Sequence, residues 1–273
     1  MVSIIMGIYN CADTLGEAID SIMSQTYTDW QLIMCDDASK DDTYAVAKAY
    51  QEKYPDKIIL IRNEENKRLA ATLNHCLQYA TGEYIARMDG DDISVPERFE
   101  KQVAFLETHP EYDLVGTLMI SFDETGDKGI KPCVEKPDKY MLRKGATFCH
   151  ATIMARRQVY DTLQGYTVAK EIKRCEDIDL WYRFWAAGFV GYNLQEPLYK
   201  VREDMTAFKR RKFSDGIDAM KVCKRGFKLL NFPKRYYIYL LKPIIASLTP
   251  AWLMKLYHNK RDKKRKDNTE DKA

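Results

Sequence analysis

The amino-acid sequence predicts a doubly wound α/β sheet, and three observations carry that prediction. Apolar runs of strand length alternate with amphipathic stretches of helix length, the pattern of a sheet covered by helices. Three of those runs end abruptly in polar residues, at Tyr9-Asn10, Asp36-Asp37 and Asp89-Gly-Asp-Asp92. In a parallel sheet these ends share one edge, where open α/β sheets collect their ligands. At 273 residues and 45% hydrophobic content, the chain can bury one large core and carry a tail.

Val2 to Ile8 reads as a buried strand running into the Tyr9-Asn10 turn. A helical pattern follows from Thr14 to Gln25. Trp30 to Cys35 is the second strand and delivers Asp36, Asp37 and the turn Ala38-Ser39. Helical spacing returns over Thr43 to Tyr54 and again over Arg68 to Tyr79. The run Tyr84-Ile-Ala-Arg-Met88 then delivers Asp89, Asp91 and Asp92. A buried strand accommodates three carboxylates poorly, because unpaired charge is costly out of water. A divalent cation at the strand's end relieves them, and carboxylate oxygens suit Mg²⁺ or Mn²⁺, which share coordination with substrate phosphates. The plainer alternative is an acidic turn in which Gly90 supplies flexibility, since a bare Asp-x-Asp is a common string. Alternation puts Arg87 on the sheet face of Asp89, where it can buttress that carboxylate. No Gly-x-Gly-x-x-Gly follows the first strand and no Walker sequence occurs, so nucleotide phosphates are left to side chains and a metal.

A further helix is expected to begin at Glu176 or Asp177, run through Ala187 and stop at Gly188. Acidic residues are favoured in a first helical turn by the helix dipole, so capping alone accounts for both. Asp179 and Arg183 have the spacing of a helical ion pair. His150 precedes another strand-like stretch, where a satisfied structural histidine and a ligand contact are both open readings. His75, His109 and His258 are dispersed and share no metal spacing with cysteines. The seven cysteines are odd in number, scattered and without Cys-x-x-Cys, which points to reduced thiols on a cytosolic face. With the N-terminus entering a strand directly, no signal peptide is expected.

The net charge of +3 hides an asymmetry. Residues 1–204 hold 24 Lys+Arg against 34 Asp+Glu, whereas residues 205–266 hold 18 against 3. Between Phe232 and Tyr257 this basic segment interleaves aromatics, aliphatics and lysines, as membrane-interface segments do. Lys242, Pro243 and Pro250 interrupt it, and a spanning helix needs ~20 apolar residues, so it is expected to lie on a membrane and not to cross it. Anionic lipid would attract Lys260 to Lys266. No nucleic-acid recognition motif accompanies the charge, so no nucleic-acid partner is expected.

Taken in order, Val2-Ser-Ile-Ile-Met-Gly-Ile-Tyr-Asn10, Asp36-Asp37-Ala-Ser39, Asp89-Gly-Asp-Asp92 and Glu176-Asp177 resemble the family 2 glycosyltransferases of GT-A fold, over about residues 1–203. Ile85 to Asp92 and Pro96 to Gln102 resemble enzymes of bacterial capsule, exopolysaccharide and O-antigen assembly. The resemblance implies a mostly parallel GT-A sheet flanked by helices over residues 1–203, and a basic helical membrane-associating tail over 204–273. It implies an inverting transfer of a hexose or N-acetylhexosamine from a UDP-sugar to a lipid-linked or glycan acceptor, on the cytoplasmic face of the membrane. By the same resemblance Tyr9 stacks on the nucleobase, Asp37 hydrogen-bonds it, and Asn66, Arg87 and Asp91 stand on the donor side. Asp89, Asp91 and Asp92 hold Mn²⁺ or Mg²⁺, Asp177 is the base, and His150 and Glu176 contact acceptor or diphosphate. Lys67 or Arg68 can neutralise diphosphate, though a solvated helix start describes them equally well. Two alternatives stand beside this reading: a non-catalytic GT-A-like binding module, and a sugar nucleotidyltransferase. The latter would normally carry a Gly-rich basic first loop, unlike Tyr9-Asn-Cys-Ala-Asp13.

Overall fold

The spine of the molecule is β1 (Val2–Ile8), buried at six of its seven positions. In this computed structural model, which describes residues 1–203 and 213–249, it is flanked on both sides by parallel partners. On one side lies β2 (Trp30–Asp36), followed by β3 (Ile58–Arg62); on the other lies β4 (Tyr84–Arg87). Register fixes the shared edge: Ile8 lies opposite Asp36, and Ile5 opposite Arg87. Tyr9, Asp37 and Asp89 therefore emerge at one end of the sheet.

The crossovers are α1 (Ala12–Met23), α2 (Thr43–Lys53) and α3 (Arg68–Leu77), each within two residues of its expected bounds. Beyond β4 the sheet becomes mixed. It continues through β8 (Met154–Arg156), β6 (Leu114–Asp123), β9 (Gly191–Arg202) and β5 (Ile93–Ser94), with β7 (Gly126–Lys131) paired to β6. Four of the eight pairings are antiparallel, so the expectation of a mostly parallel sheet describes the β3-β2-β1-β4 half. The remaining helices are α4 (Arg98–Thr108), α5 (Arg157–Leu163), α6 (Glu176–Ala186), α7 (Phe213–Leu229) and α8 (Leu241–Leu248).

Strand alternation splits the core into two layers. Ile4, Met6, Leu32 and Met34 face one side and are covered by Leu15, Ile19 and Ile22 of α1 and by Phe99 and Leu106 of α4. Ile5, Ile33 and Ile85 face the other and meet Leu73 of α3, Trp181 and Phe184 of α6 and Phe227 of α7. The C-terminal segment thus contributes to the core: Leu230, Phe232 and Leu240 are buried with Phe227. Helix α7 approaches α6 closely at Gly226, where a Cβ would sit 2.2 Å from the Tyr182 ring. The expectations for residues 250–273, including the basic run Lys260–Lys266, lie outside the described residues. No helix among the described residues is long and apolar enough to cross a membrane.

Candidate active site

Each strand end places its polar group for a local reason. After β1, Asn10 adopts a left-handed conformation (φ 50°) and its side-chain oxygen accepts the Lys40 amide at 2.9 Å. Its own amide donates to Ser39 Oγ at 3.1 Å. This lashes the first turn to the second and leaves Tyr9 exposed at its tip, 44% accessible.

The adjacent carboxylates after β2 have different environments. Asp36 is fully buried and accepts Arg62 Nε at 2.9 Å. Asp37 accepts Asn63 Nδ2 and the Lys67 amide on one oxygen and the Arg68 amide on the other, all at 2.8 Å. An ionised carboxylate offers about four acceptor positions, so Asp37 is oriented by three internal donors with one position left. Arg68 (φ 71°) is the turn that lets both amides reach it. Tyr9, Asp37, Asn66, Lys67 and Arg68 line one wall of a 910 Å³ cavity; Thr167–Lys170, Ile172–Arg174 and Glu176 form the other.

Past β4, oxygens of Asp89, Asp91 and Asp92 lie within 4.8 Å of one another. The buried Arg87 guanidinium donates to both oxygens of Asp89. Burial works against its charge, but Asp89's pull wins and holds it protonated. Asp92 Oδ1 accepts the Arg202 amide at 2.8 Å, while Oδ2 is buried with no partner. Burial first, then the charges of Asp89 and Asp91, pushes the Asp92 carboxyl up to about 8. An orphaned buried acceptor among three carboxylates fits a hard divalent cation. Close packing favours glycine at position 90, since a Cβ there would stand 3.0 Å from Cys11 Sγ and 3.1 Å from Ile8 Cγ2.

Several supports of this corner have no local sequence signal. Arg98, fully buried in α4, donates to the carbonyl of Arg87 at 2.9 Å and bonds Gln102. It also reaches the carbonyls of Ala151 and Ile153 and lies 4.8 Å from the Tyr199 ring centroid. Tyr199 OH accepts the Asp89 amide at 3.2 Å, and Arg202 Nε donates to the Asp91 carbonyl at 3.0 Å. Both come from β9, some 110 residues downstream.

Helix α6 opens with Glu176 and Asp177, both half-buried, and ends before Gly188 (φ 84°). Burial raises both carboxyls, and the positive charge of Arg87 pulls both back. The Ile178 amide also lowers the Asp177 carboxyl, and a carboxylate in a first helical turn is favoured by the helix dipole, which is compatible with a second role. Asp179 points the other way: it accepts Thr167 Oγ1 at 2.6 Å, Arg183 Nε at 2.9 Å and Arg225 from α7. His150 Nε2 pairs with Tyr166 OH at 2.7 Å, which in turn meets Tyr160 OH at 3.2 Å. Burial and Arg87 keep His150 neutral. The seven cysteines are unpaired.

A mixed α/β sheet with an acidic triad and a large cavity at its strand ends is the layout of a nucleotide-sugar transferase. The chain belongs to glycosyltransferase family 2, whose model, "Glycosyl transferase family 2", matches residues 3–163. It is 55% identical over 260 residues to the glycosyltransferase-like protein EpsE of Bacillus subtilis, covering 95% of this chain and 94% of that one. It is 30% identical over 203 residues (74% of this chain, 77% of the other) to WfaP of Escherichia coli, a UDP-Glc:alpha-D-GlcNAc-diphosphoundecaprenol beta-1,3-glucosyltransferase. Among solved structures it superposes on the mannosyltransferase PcManGT of Pyrobaculum calidifontis, in complex with GDP-Man and Mn²⁺. The TM-score is 0.63 at 18% identity, covering 94% of this chain and 79% of that one. The fold is GT-A-like, and the chain is a glycosyltransferase of bacterial polysaccharide biosynthesis.

Proposed function

We propose that the chain transfers a hexose or N-acetylhexosamine, with inversion, from a UDP-sugar to a lipid-linked or glycan acceptor. Residues 1–203 are the catalytic domain, and residues 204–273 hold it at the inner face of the cell membrane. One observation carries the reading. Arg87 pairs with Asp89, and its charge also pulls back the Glu176 and Asp177 carboxyls that burial raises, which supports reading the acidic triad and the helix-start pair as one site. Glu176 joins them to the wall of the cavity that holds Tyr9 and Asp37.

Tyr9 offers its exposed ring for stacking on the base. The remaining acceptor position of Asp37 suits the ring N–H of uracil; cytosine has no such donor. Lys67 and Arg68 sit where diphosphate charge can be met. Asp89, Asp91 and Asp92 would hold Mn²⁺ or Mg²⁺, which supplies charge neutralisation for the departing diphosphate. Asp177 takes the proton of the acceptor hydroxyl as that oxygen bonds to the anomeric carbon. The bond from that carbon to the diphosphate breaks, and its electron pair leaves on UDP. A single carboxylate acting opposite the leaving group gives direct displacement, hence inversion. WfaP's UDP-Glc donor and lipid-diphosphate acceptor, and the Mn²⁺ of PcManGT, support this assignment. The test is a screen of UDP-sugars for UDP release with and without excess EDTA, followed by NMR of the product's anomeric proton. Full turnover in EDTA refutes the metal role, and a retained anomeric configuration refutes the mechanism.

A further inference from the structure

We propose that Ile238, Leu241, Ile245 and Leu248 form a docking face for the surface of an anionic lipid bilayer. Their exposures are 67%, 49%, 61% and 65%. Positions 241, 245 and 248 recur on α8 with the spacing of one helical stripe. Ile238 precedes them by three residues in the tight turn Lys234–Leu240. Exposed apolar side chains scattered singly need no explanation; four aliphatics on one stripe of a single segment do.

The structure sorts this segment by chemistry. Its aromatics serve the protein: Phe232 is buried against Phe227, and Tyr236, Tyr237 and Tyr239 pack on the core. The outward face is left to aliphatics.

The rim decides the occupant. Lys234 and Arg235 are exposed in the same segment, Lys242 is exposed with its ammonium on the Lys144 carbonyl, and no Asp or Glu occurs from Ala219 through Thr249. A second copy of the chain would bring the same cations together with no carboxylate to meet them. An anionic interface meets both the apolar stripe and the cations, as it does for interfacial helices. The face is also fixed to the catalytic helix. A Cβ at Gly216 of α7 would stand 2.4 Å from Ser247 Oγ of α8, and Arg225 of α7 bonds Asp179 of α6, two residues past Asp177. Docking therefore sets the attitude of α6 to the bilayer. For its use, delivery of a lipid-linked acceptor to Asp177, this inference rests on the function proposed above.

The test uses the full chain and sedimentation with vesicles of phosphatidylglycerol and phosphatidylcholine, or of phosphatidylcholine alone. Each buried methylene is worth roughly fourfold in partition, so Ile245→Asp with Leu248→Asp is expected to weaken binding to the anionic vesicles by at least about tenfold. UDP affinity by calorimetry is expected to be unchanged. If the aspartates unfold the chain, Ile245→Ser with Leu248→Ser gives the same readout. A double variant that binds like the unaltered chain overturns the face. So does an unaltered chain that binds neutral vesicles equally well, or one that ignores vesicles and forms dimers that the variant loses. Loss of UDP-sugar turnover with vesicle binding intact would refute the transferase reading and leave the face standing.

Discussion

Replacing Asp177 by Asn separates the helix-start role of that carboxylate from the base role proposed for it. Asn is nearly the size of Asp and keeps a side-chain oxygen able to accept a first-turn amide, so the helix start is expected to survive. What it loses is the ability to take a proton. General base catalysis contributes roughly 10²–10⁴-fold, and the variant is expected to lose turnover in that range. UDP affinity is expected to change less than about twofold, because the cavity is lined by Glu176 and not by Asp177. The pH profile adds a second readout. Burial raises the Asp177 carboxyl above its ordinary range, and Arg87 only partly offsets it. Protonation therefore persists to higher pH than for a solvated aspartate. Turnover needs the carboxylate, so it rises with pH through this raised pKa and is lost below it. The Asn variant is expected to lack that contribution to the acid limb. Steady-state rates across pH, with calorimetric UDP titration, check both. Near-normal turnover in Asp177→Asn refutes the assignment; an acid limb set by the raised Asp92 carboxyl is expected to remain in it.

Three further outcomes follow from the same site. With UDP present, Mn²⁺ is expected to raise the melting temperature of the unaltered chain and Asp92→Asn to abolish that shift, a binding readout independent of turnover; an equal shift in the variant refutes the ligand assignment. Arg98→Met strips donors from the carbonyls of Arg87, Ala151 and Ile153, and chemical denaturation is expected to show a loss of roughly 3 kcal/mol. Tyr9→Ala removes an exposed stacking ring worth roughly 1–3 kcal/mol per base, so UDP binding is expected to weaken while melting is unmoved; unaltered UDP affinity would leave Tyr9 a strand-end residue only.

The parallel half of the sheet was legible because its signals are local. Val2–Ile8 and Trp30–Asp36 are continuous apolar runs, and α1, α2 and α3 repeat with helical period. The polar strand ends were legible too, since a carboxylate after a buried strand is a visible break in pattern. The antiparallel half was not. Strand β8 has three residues and β5 two, too short for any period to show. Tyr199 and Arg202 support the triad through pairings that only the closed sheet creates. Arg98 stood in a recognised motif, yet nothing local says that its guanidinium spans three carbonyls. The C-terminal segment shows the same limit: its composition announced an interface, but packing alone decided that aromatics turn inward and aliphatics outward.

The pairing of Arg87 with Asp89 bears on how firmly a cation would be kept. Three carboxylates, once a bound cation holds them all ionised, and one guanidinium leave a formal charge of −2 at the strand end, which one divalent ion cancels. Tight permanent sites carry an excess of negative ligands, and charge count is one of the quantities that sets their affinity. Here the excess is removed by an arginine that cannot lose its proton. A cation would stay exchangeable on its own and would be retained only while a diphosphate adds its oxygens. Spent nucleotide could then depart together with its ion, and each catalytic cycle would begin with both arriving afresh.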